Sequence, residues 1–525
     1  MSASRAHEEW RSFNLLLVLA CVFFIVVTVK ISRYVKRRPR HRSVAILVLG
    51  DVGRSPRMMY HAESFAKLGF RTHLVGYKGS KPVPSLTSLP HVHIHHLSEP
   101  PIFFRRVSFG LFALVKIAYQ TINVLYTLMF SITHSPEFIM VQNPPSIPTL
   151  AIVWLVGWIR ASKVIIDWHN LGHSILALKL GHGHPFVMIS KRFEEVFGRS
   201  AYAHLFVTRA MRDHLASEWN LTGRMAVLYD RPPSHFHKCL PPEVHELFIR
   251  LGPSLKDPSL TDFLPKPNIP YSTEFTMTSW PSRESRISPQ HSQINMPKLR
   301  EDRVALLVSG TSWTPDEDFD TLLEALKLYE ERARAVNDSP QSSSTEKLPK
   351  IWMVITGKGP LQAMYMSRVA RLQETWAFVR CSSLWLEAED YPLLLGSADL
   401  GICLHASSSA LDLPMKVVDM FGCGVPVCAL DFKCLPELVK DGRNGMVFKG
   451  SRELADQMEA LLKSFPNSTR LEKLRSSLEG AGQLPDTHSN SNGVGWEWCS
   501  WADNWNRIVK PLVLRDVEHP DYTAS

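Results

Sequence analysis

Two kinds of apolar pattern alternate along this chain of 525 residues. Short continuous runs rich in Val, Ile and Leu occur as VAILVLG from residue 44, RTHLVGY from 71, EFIMVQ (137–142), KVIIDW (163–168) and HLFVT (204–208). Such runs predict strands buried on both faces. Between them lie segments with helical spacing, the first being RMMYHAESFAKL, which Gly69 closes. Strand, loop, helix, strand is a βαβ unit, whose parallel strands need helices on both faces. A doubly wound α/β domain is therefore predicted over residues 43–235. A second series starts at RVALLVSG (303–310) and continues through IWMVITGKGP (351–360), AFVRC (377–381), DLGICLH (399–405) and VPVCAL (425–430). It predicts a second Rossmann-like domain over 301–487. Ligand crevices of such sheets open at the carboxyl ends of the strands, so the two domains are expected to face each other across a cleft.

The intervening segments have a different character. Residues 252–300 are rich in Pro, Ser and Thr without periodicity, and 236–300 is expected to be a linker or inserted loop without regular structure. Residues 336–350 and 488–495 read as surface loops, and 488–525 as a loop followed by a carboxyl-terminal helix that crosses back between the halves. Residues 102–132 are strongly apolar, yet Arg105, Arg106 and Lys116 interrupt them. Amphipathic helices that pack on the sheet and reach a membrane interface fit better than a second membrane span.

The first 42 residues hold an apolar run from Phe13 to Ile31 without an acidic residue, followed by Lys36, Arg37, Arg38, Arg40 and Arg42. About 19 residues rise about 28 Å, enough for a thin bilayer, so this segment reads as a signal-anchor helix. The basic residues that follow it place the amino terminus in the lumen and the rest of the chain in the cytosol. With Lys30 and Arg33 they carry seven of the nine units of net positive charge. The remainder is close to neutral, which favours a lipid surface over nucleic acid as the partner. Eight cysteines show neither a CxxC pair nor a zinc spacing, as expected of reduced thiols, and sequons at Asn220, Asn337 and Asn467 should stay unmodified in the cytosol.

Candidate chemistry gathers at the predicted strand ends of the second domain. Gly357, Lys358 and Gly359 form a tight turn opening a helix, where free N–H groups and the helix dipole favour a phosphate. The segment SSSALDLPMKVVDMFGCGVPV supplies a small-residue loop with Ser409 and Leu411, then Asp412, then a helix carrying Lys416 and Asp419. A nucleoside diphosphate suits it: loop N–H groups and Lys416 for the phosphates, Asp419 for ribose hydroxyls, Asp412 reaching toward a sugar. Trp385 and Glu387 follow a strand and are candidates for stacking on a base and accepting from its N–H groups, although Trp385 suits the core equally well. Asp316, Glu317 and Asp318 look like a metal-binding triplet, but they open a helix whose dipole acids complement without any ion, so no metal is expected. In the first domain Gly50 and Gly53 allow backbone approach after the first strand, with Arg54 and Arg57 at the next helix start as ligands for an acceptor diphosphate. Four histidines, His91, His93, His95 and His96, read as an exposed strand.

The strings GDVGRSPRM, DWHN, GTSWTPDEDF, ITGKGP, WLEAEDYPLLLGSADLG and LDLPMKVVDMFGCGVPV resemble those of the eukaryotic chitobiosyldiphosphodolichol β-mannosyltransferases, glycosyltransferase family 33, over nearly all of the chain from about residue 14. The resemblance implies a GT-B fold, GDP-mannose as donor and a dolichol-linked diphosphate chitobiose as acceptor. It also implies β-1,4 transfer with inversion on the cytosolic face of the endoplasmic reticulum, no tightly bound cofactor, and a complex with other glycosyltransferases of the pathway. His169, in DWHN, resembles the residue that relatives place beside the donor sugar, and Asp51 is the candidate base; with Asp412 they form the expected catalytic set. Wider relatives carry Glu-x7-Glu and, after the first donor-domain strand, an Arg and a Lys. Here Asp412 and Asp419 are seven apart, and Thr311, Ser312 and Trp313 bring no base. Lys358 and Lys416 are therefore expected to take the electrostatic role, with Thr311 and Ser312 donating hydrogen bonds. Two rival readings remain, a lipid-linked transferase of the same fold using UDP-N-acetylglucosamine and a non-catalytic scaffold.

Overall fold

A computed structural model of the chain describes residues 40–99, 109–233, 235–278, 296–314, 317–339, 347–387, 389–405, 411–479 and 499–518. The expected membrane anchor, Asp316 and Ser409 lie outside these residues. Among the described residues no helix is long and apolar enough to cross a membrane. The chain divides into two compact units: the residues up to Phe206 with Met211–Val227, and Val207–Ala210 with Leu228 onward.

The first unit is built on seven strands, β1 (Arg40–Asp51), β2 (Arg71–Tyr77), β3 (Val92–Leu97), β4 (Pro136–Asn143), β5 (Lys163–Trp168), β6 (Ser200–Phe206) and β7 (Thr222–Val227). Their order is β3-β2-β1-β4-β5-β6-β7, and every pairing is parallel. The strand order reverses between β1 and β4, the point where open sheets of this kind bind ligands. All five early apolar runs fall on strands, and the histidines from His93 to His96 lie on β3, an edge strand. Short β7, with Gly223 and Arg224 inside it, offers no apolar run and is not predicted.

Helices Phe109–Tyr126, Thr149–Arg160, Gly172–Leu180 and Pro185–Gly198 pack in the first unit. In the helix Thr149–Arg160 one stripe (Leu150, Val153, Val156) is buried, while Trp154 and Trp158, four apart, are 50% and 74% exposed. The described part of the apolar segment from 102 to 132 is indeed helical. It buries Val124 and Leu128 and exposes Ile122, Tyr126 and Phe130. Arg160 is buried beneath it, donating from Nη2 to the Ile132 carbonyl at 2.9 Å and from Nη1 to that of Leu128.

The second unit carries β10 (Ala305–Gly310), β11 (Ile351–Thr356), β12 (Val379–Leu384), β13 (Leu400–Cys403), β14 (Val427–Leu430) and β15 (Gly445–Phe448), after a two-stranded ribbon of β8 (Thr276–Met277) and β9 (Lys298–Leu299). The parallel order is β12-β11-β10-β13-β14-β15, with its switch point between β10 and β13. Side chains leave each strand alternately toward two cores. Leu306, Val308, Trp352 and Val354 enter one; Leu307, Ile351, Met353 and Ile355 enter the other. That two-sided burial is why these strands read as unbroken apolar runs.

One expectation is overturned. The linker of 236–300 is, as far as 278, a folded part of this unit. Helix Pro241–Leu251 leads into it, and Leu255, Leu260, Phe263, Leu264 and Phe275 are buried in the first of the two cores. Phe248 stacks on Phe275 at 4.2 Å, and both lie against Trp352. The prolines break the periodicity without removing the apolar anchors.

Candidate active site

The carboxyl end of β10 is the organising point of the second unit. Gly310 ends the strand and Thr311 N–H donates to the Thr356 carbonyl at 3.0 Å, tying this loop to the end of β11. Gly357 has φ +107°, and a Cβ on Gly357 or Gly359 would run into the carbonyl oxygens of Thr311 and Ser312. The glycines are thus required for one loop to lie on the other. Trp313, fully buried with φ +51°, stacks on Phe319 at 4.5 Å and donates from Nε1 to the Gly357 carbonyl at 3.2 Å. Expected donor ligands from two separate segments are brought together in this way.

The cations follow. Lys358 Nζ stands 3.9 Å from the ring centroid of Trp385, a cation–π contact. Trp385 is 62% exposed, which removes its assignment to the core. Glu387, two residues on, is exposed, and its carbonyl accepts from Asp390 and Tyr391 N–H at 3.1 and 3.2 Å to open the helix Asp390–Ser397. Lys416 lies in the first turn of helix Met415–Gly422, its stem against Gly310 and its ammonium on the carboxylate of Glu317.

Glu317, expected from the sequence to complement the helix dipole, instead joins this loop to Lys416. It is 5% exposed and accepts from Ser312 N–H at 3.0 Å, from the Thr311 hydroxyl and from Lys416. Asp318 does take the capping role, accepting from Thr321 N–H at 3.1 Å at the start of helix Phe319–Asn337. Asp419, one turn beyond Lys416, is half-buried; burial first and the charge of Asp230 second push its carboxyl up to about 8. A neutral carboxyl both donates and accepts, which suits a diol. Leu411 is buried, its carbonyl accepting from the Thr208 hydroxyl at 2.6 Å, and the Asp412 carbonyl accepts from the Cys434 thiol at 3.1 Å.

In the first unit the structure separates the two arginines. Arg54 is exposed beside Ser80, with Nε 3.3 Å from Ser80 Oγ. Arg57, by contrast, is buried, donating from Nε and Nη2 to the two oxygens of Asp167 at 2.8 and 2.9 Å. Its fork is consumed within the unit, so the expectation that it holds an acceptor diphosphate is corrected. His169 Nε2 lies 2.8 Å from Asp167 Oδ2, and His61 Nε2 lies 3.3 Å from the same oxygen. Burial pushes the Asp167 carboxyl up, but Arg57 and then His169 overcome it and hold it well below the usual range. Asp51 accepts from Gly53 and Ser80 N–H at 3.0 and 2.8 Å. The Ser80 bond first keeps its carboxyl low, so it is a loop-fixing anion held by one backbone N–H on each oxygen. A Cβ at Gly53 would meet the Ser80 backbone, which explains that glycine by packing, while Gly50 has ordinary space around it.

Residues 302–464 match the family model described as glycosyl transferases group 1. The chitobiosyldiphosphodolichol beta-mannosyltransferase of Mus musculus is 40% identical over 515 residues, covering 96% of both chains. The Arabidopsis thaliana protein named UDP-glycosyltransferase TURAN is 41% identical, over 90% of this chain and 97% of its own. Among solved structures, a glycosyltransferase from Rickettsia africae superposes with a TM-score of 0.51 at 10% identity, over 93% of this chain and 100% of its own, a likeness of fold alone and of the GT-B type. On the extent and identity of these matches, the chain belongs to the chitobiosyldiphosphodolichol beta-mannosyltransferase family.

Proposed function

We propose that this protein transfers mannose from GDP-mannose to chitobiosyldiphosphodolichol with inversion, the second unit holding the donor and the first acting on the acceptor. The observation that carries the donor site is the packing of the Thr311–Ser312 and Gly357–Gly359 loops on each other beside Lys358 and Lys416, at the carboxyl ends of β10 and β11. N–H groups and two cations there suit a diphosphate, exposed Trp385 suits a guanine face, and Asp419 suits the ribose.

For the reaction, an acceptor hydroxyl attacks the anomeric carbon of mannose. The bond from that carbon to the diphosphate oxygen breaks, and GDP leaves with its growing charge on Lys416, while Lys358 contributes to binding the diphosphate. His169 takes the hydroxyl proton. An aspartate that fixes one ring nitrogen of a partly exposed histidine gives the orientation a general base needs, and Asp167 does this at 2.8 Å. Asp51, held by two backbone N–H groups, suits the role less well. Arg54 remains the cation of the first unit suited to the lipid diphosphate, and the exposed Trp154, Trp158 and Ile122 suit an acceptor that arrives in a membrane. A dolichol-linked acceptor implies the endoplasmic reticulum as the compartment.

The test is transfer to a short-chain chitobiosyl diphosphate lipid, with GDP-mannose, UDP-N-acetylglucosamine and UDP-glucose offered separately to the full chain. A β-linked mannosyl trisaccharide from GDP-mannose alone is expected. Turnover of a UDP sugar instead would overturn the donor assignment, and GDP binding without transfer from any donor would favour the scaffold.

A further inference from the structure

A buried carboxylate in contact with a lysine that reads a diphosphate needs a reason, because it offsets the very charge that the lysine supplies. Glu317 is tied down from several directions. Its backbone pairs with His405 in an antiparallel bridge, and its N–H donates to the Thr314 carbonyl at 3.1 Å. His405 follows β13 and Thr311 follows β10, so Glu317 sits at the point where the strand order of the second unit reverses. One carboxylate oxygen takes the Thr311 hydroxyl and the Ser312 N–H; the other takes Lys416. Lys416 is itself partly exposed, with 27% of its side chain accessible against 4% for Glu317. Its ammonium thus has its inner side on Glu317 and hydrogens left for a ligand.

We infer that Glu317 is a positioning residue for diphosphate departure, holding the Lys416 ammonium at the switch point so that it meets the leaving oxygen without reorganising. This rests on the reading of Lys416 as a diphosphate ligand. A lysine stem has four rotatable bonds, and an ammonium free to sweep through them binds a ground-state anion well but is seldom in place for the transition state. The carboxylate gives up part of the ground-state attraction and gains a fixed geometry, so its removal should fall on kcat and not on KM. The same carboxylate sets the Thr311–Ser312 loop, so donor N–H groups and the cation are registered by one group.

A double-mutant cycle on the full-length protein tests this, with Glu317→Gln, Lys416→Met and the pair, reading kcat and KM for GDP-mannose and GDP affinity by calorimetry. Glu317→Gln is expected to lower kcat by about tenfold or more with KM and GDP affinity changed less than about threefold. In the Lys416→Met background the same change is expected to cost almost nothing, because Gln keeps an oxygen for the Thr311–Ser312 loop and what it loses runs through the lysine. Equal losses of kcat in both backgrounds, or a loss confined to KM, would overturn the inference and leave Glu317 as a support of the loop alone. If Glu317→Gln does not fold, the paired variant, which removes both charges together, decides. An activity of the pair well below that of Lys416→Met then contradicts the inference, and equality supports it. Failure of the underlying reading looks different: Lys416→Met alone would leave kcat, KM and GDP affinity at wild-type values.

Discussion

Replacing Lys416 by alanine is expected to lower kcat/KM for GDP-mannose by about 100- to 1,000-fold, the range found when one group stabilising a developing anion is removed. Lys416 starts in the first turn of its helix, where the dipole already favours an anion, and its stem is held against Gly310. Lys358 is different: it is exposed, on a turn, and partnered by the face of Trp385. Lys358→Ala is therefore expected to cost several-fold less than Lys416→Ala and to act chiefly on KM, since an exposed ammonium contributes attraction that is similar in ground and transition states. Steady-state kinetics at saturating acceptor measure both. Equal and small effects would mean that the diphosphate is held elsewhere.

The largest effect on stability is expected from Asp167→Ala. It leaves the Arg57 guanidinium buried without its bidentate partner and removes the anion shared by His61 and His169. Breaking such a buried pair costs about 3–5 kcal/mol, a large share of the stability of one domain, which is about 5–15 kcal/mol. Chemical denaturation of wild type and variant at neutral pH measures the difference. Its sign with pH is fixed by the carboxyl. The folded form holds Asp167 well below its ordinary value of 3.8, so its contribution is fully present above that value and is lost as pH falls through the lower folded one. The carboxyl's own share of the gap between wild type and variant should thus be flat from pH 5 to 8 and close only in strong acid. Asp167→Asn keeps the shape of the side chain but loses the charge that orients His169. If that histidine is the base, the variant loses about 100-fold or more in kcat. A well-folded Asp167→Asn protein with wild-type turnover would remove His169 from the chemistry.

These residues also show where a sequence is readable. Strands β1, β2, β4, β5, β10 and β11 are legible because both faces are buried, which writes each as an unbroken apolar run. The Gly357–Gly359 turn and Lys416 are legible because a tight turn or a helix start after a buried strand states its own geometry. Partnership across the chain is not written locally. Arg57 looks like a surface cation at a helix start, and its partner Asp167 is 110 residues away. Glu317 looks like a dipole-complementing acid, and its partner Lys416 is 99 residues away. Composition misled over 252–278, where prolines and serines hide five buried apolar anchors that the core of the second unit needs. Trp385 was open to two readings because an aromatic residue after a strand is equally at home in a core or on a base; exposure decides it.

The most direct measurement of the donor site is a crystal structure of the protein with GDP bound. The β-phosphate is predicted within hydrogen-bonding distance of Lys416 Nζ and of N–H groups in the Ser312 and Gly357–Gly359 loops, with guanine against Trp385 and the ribose hydroxyls at Asp419. A nucleotide seated at the carboxyl ends of the first unit's strands, or one whose phosphates make no contact with Lys416 and the glycine turn, would contradict the account.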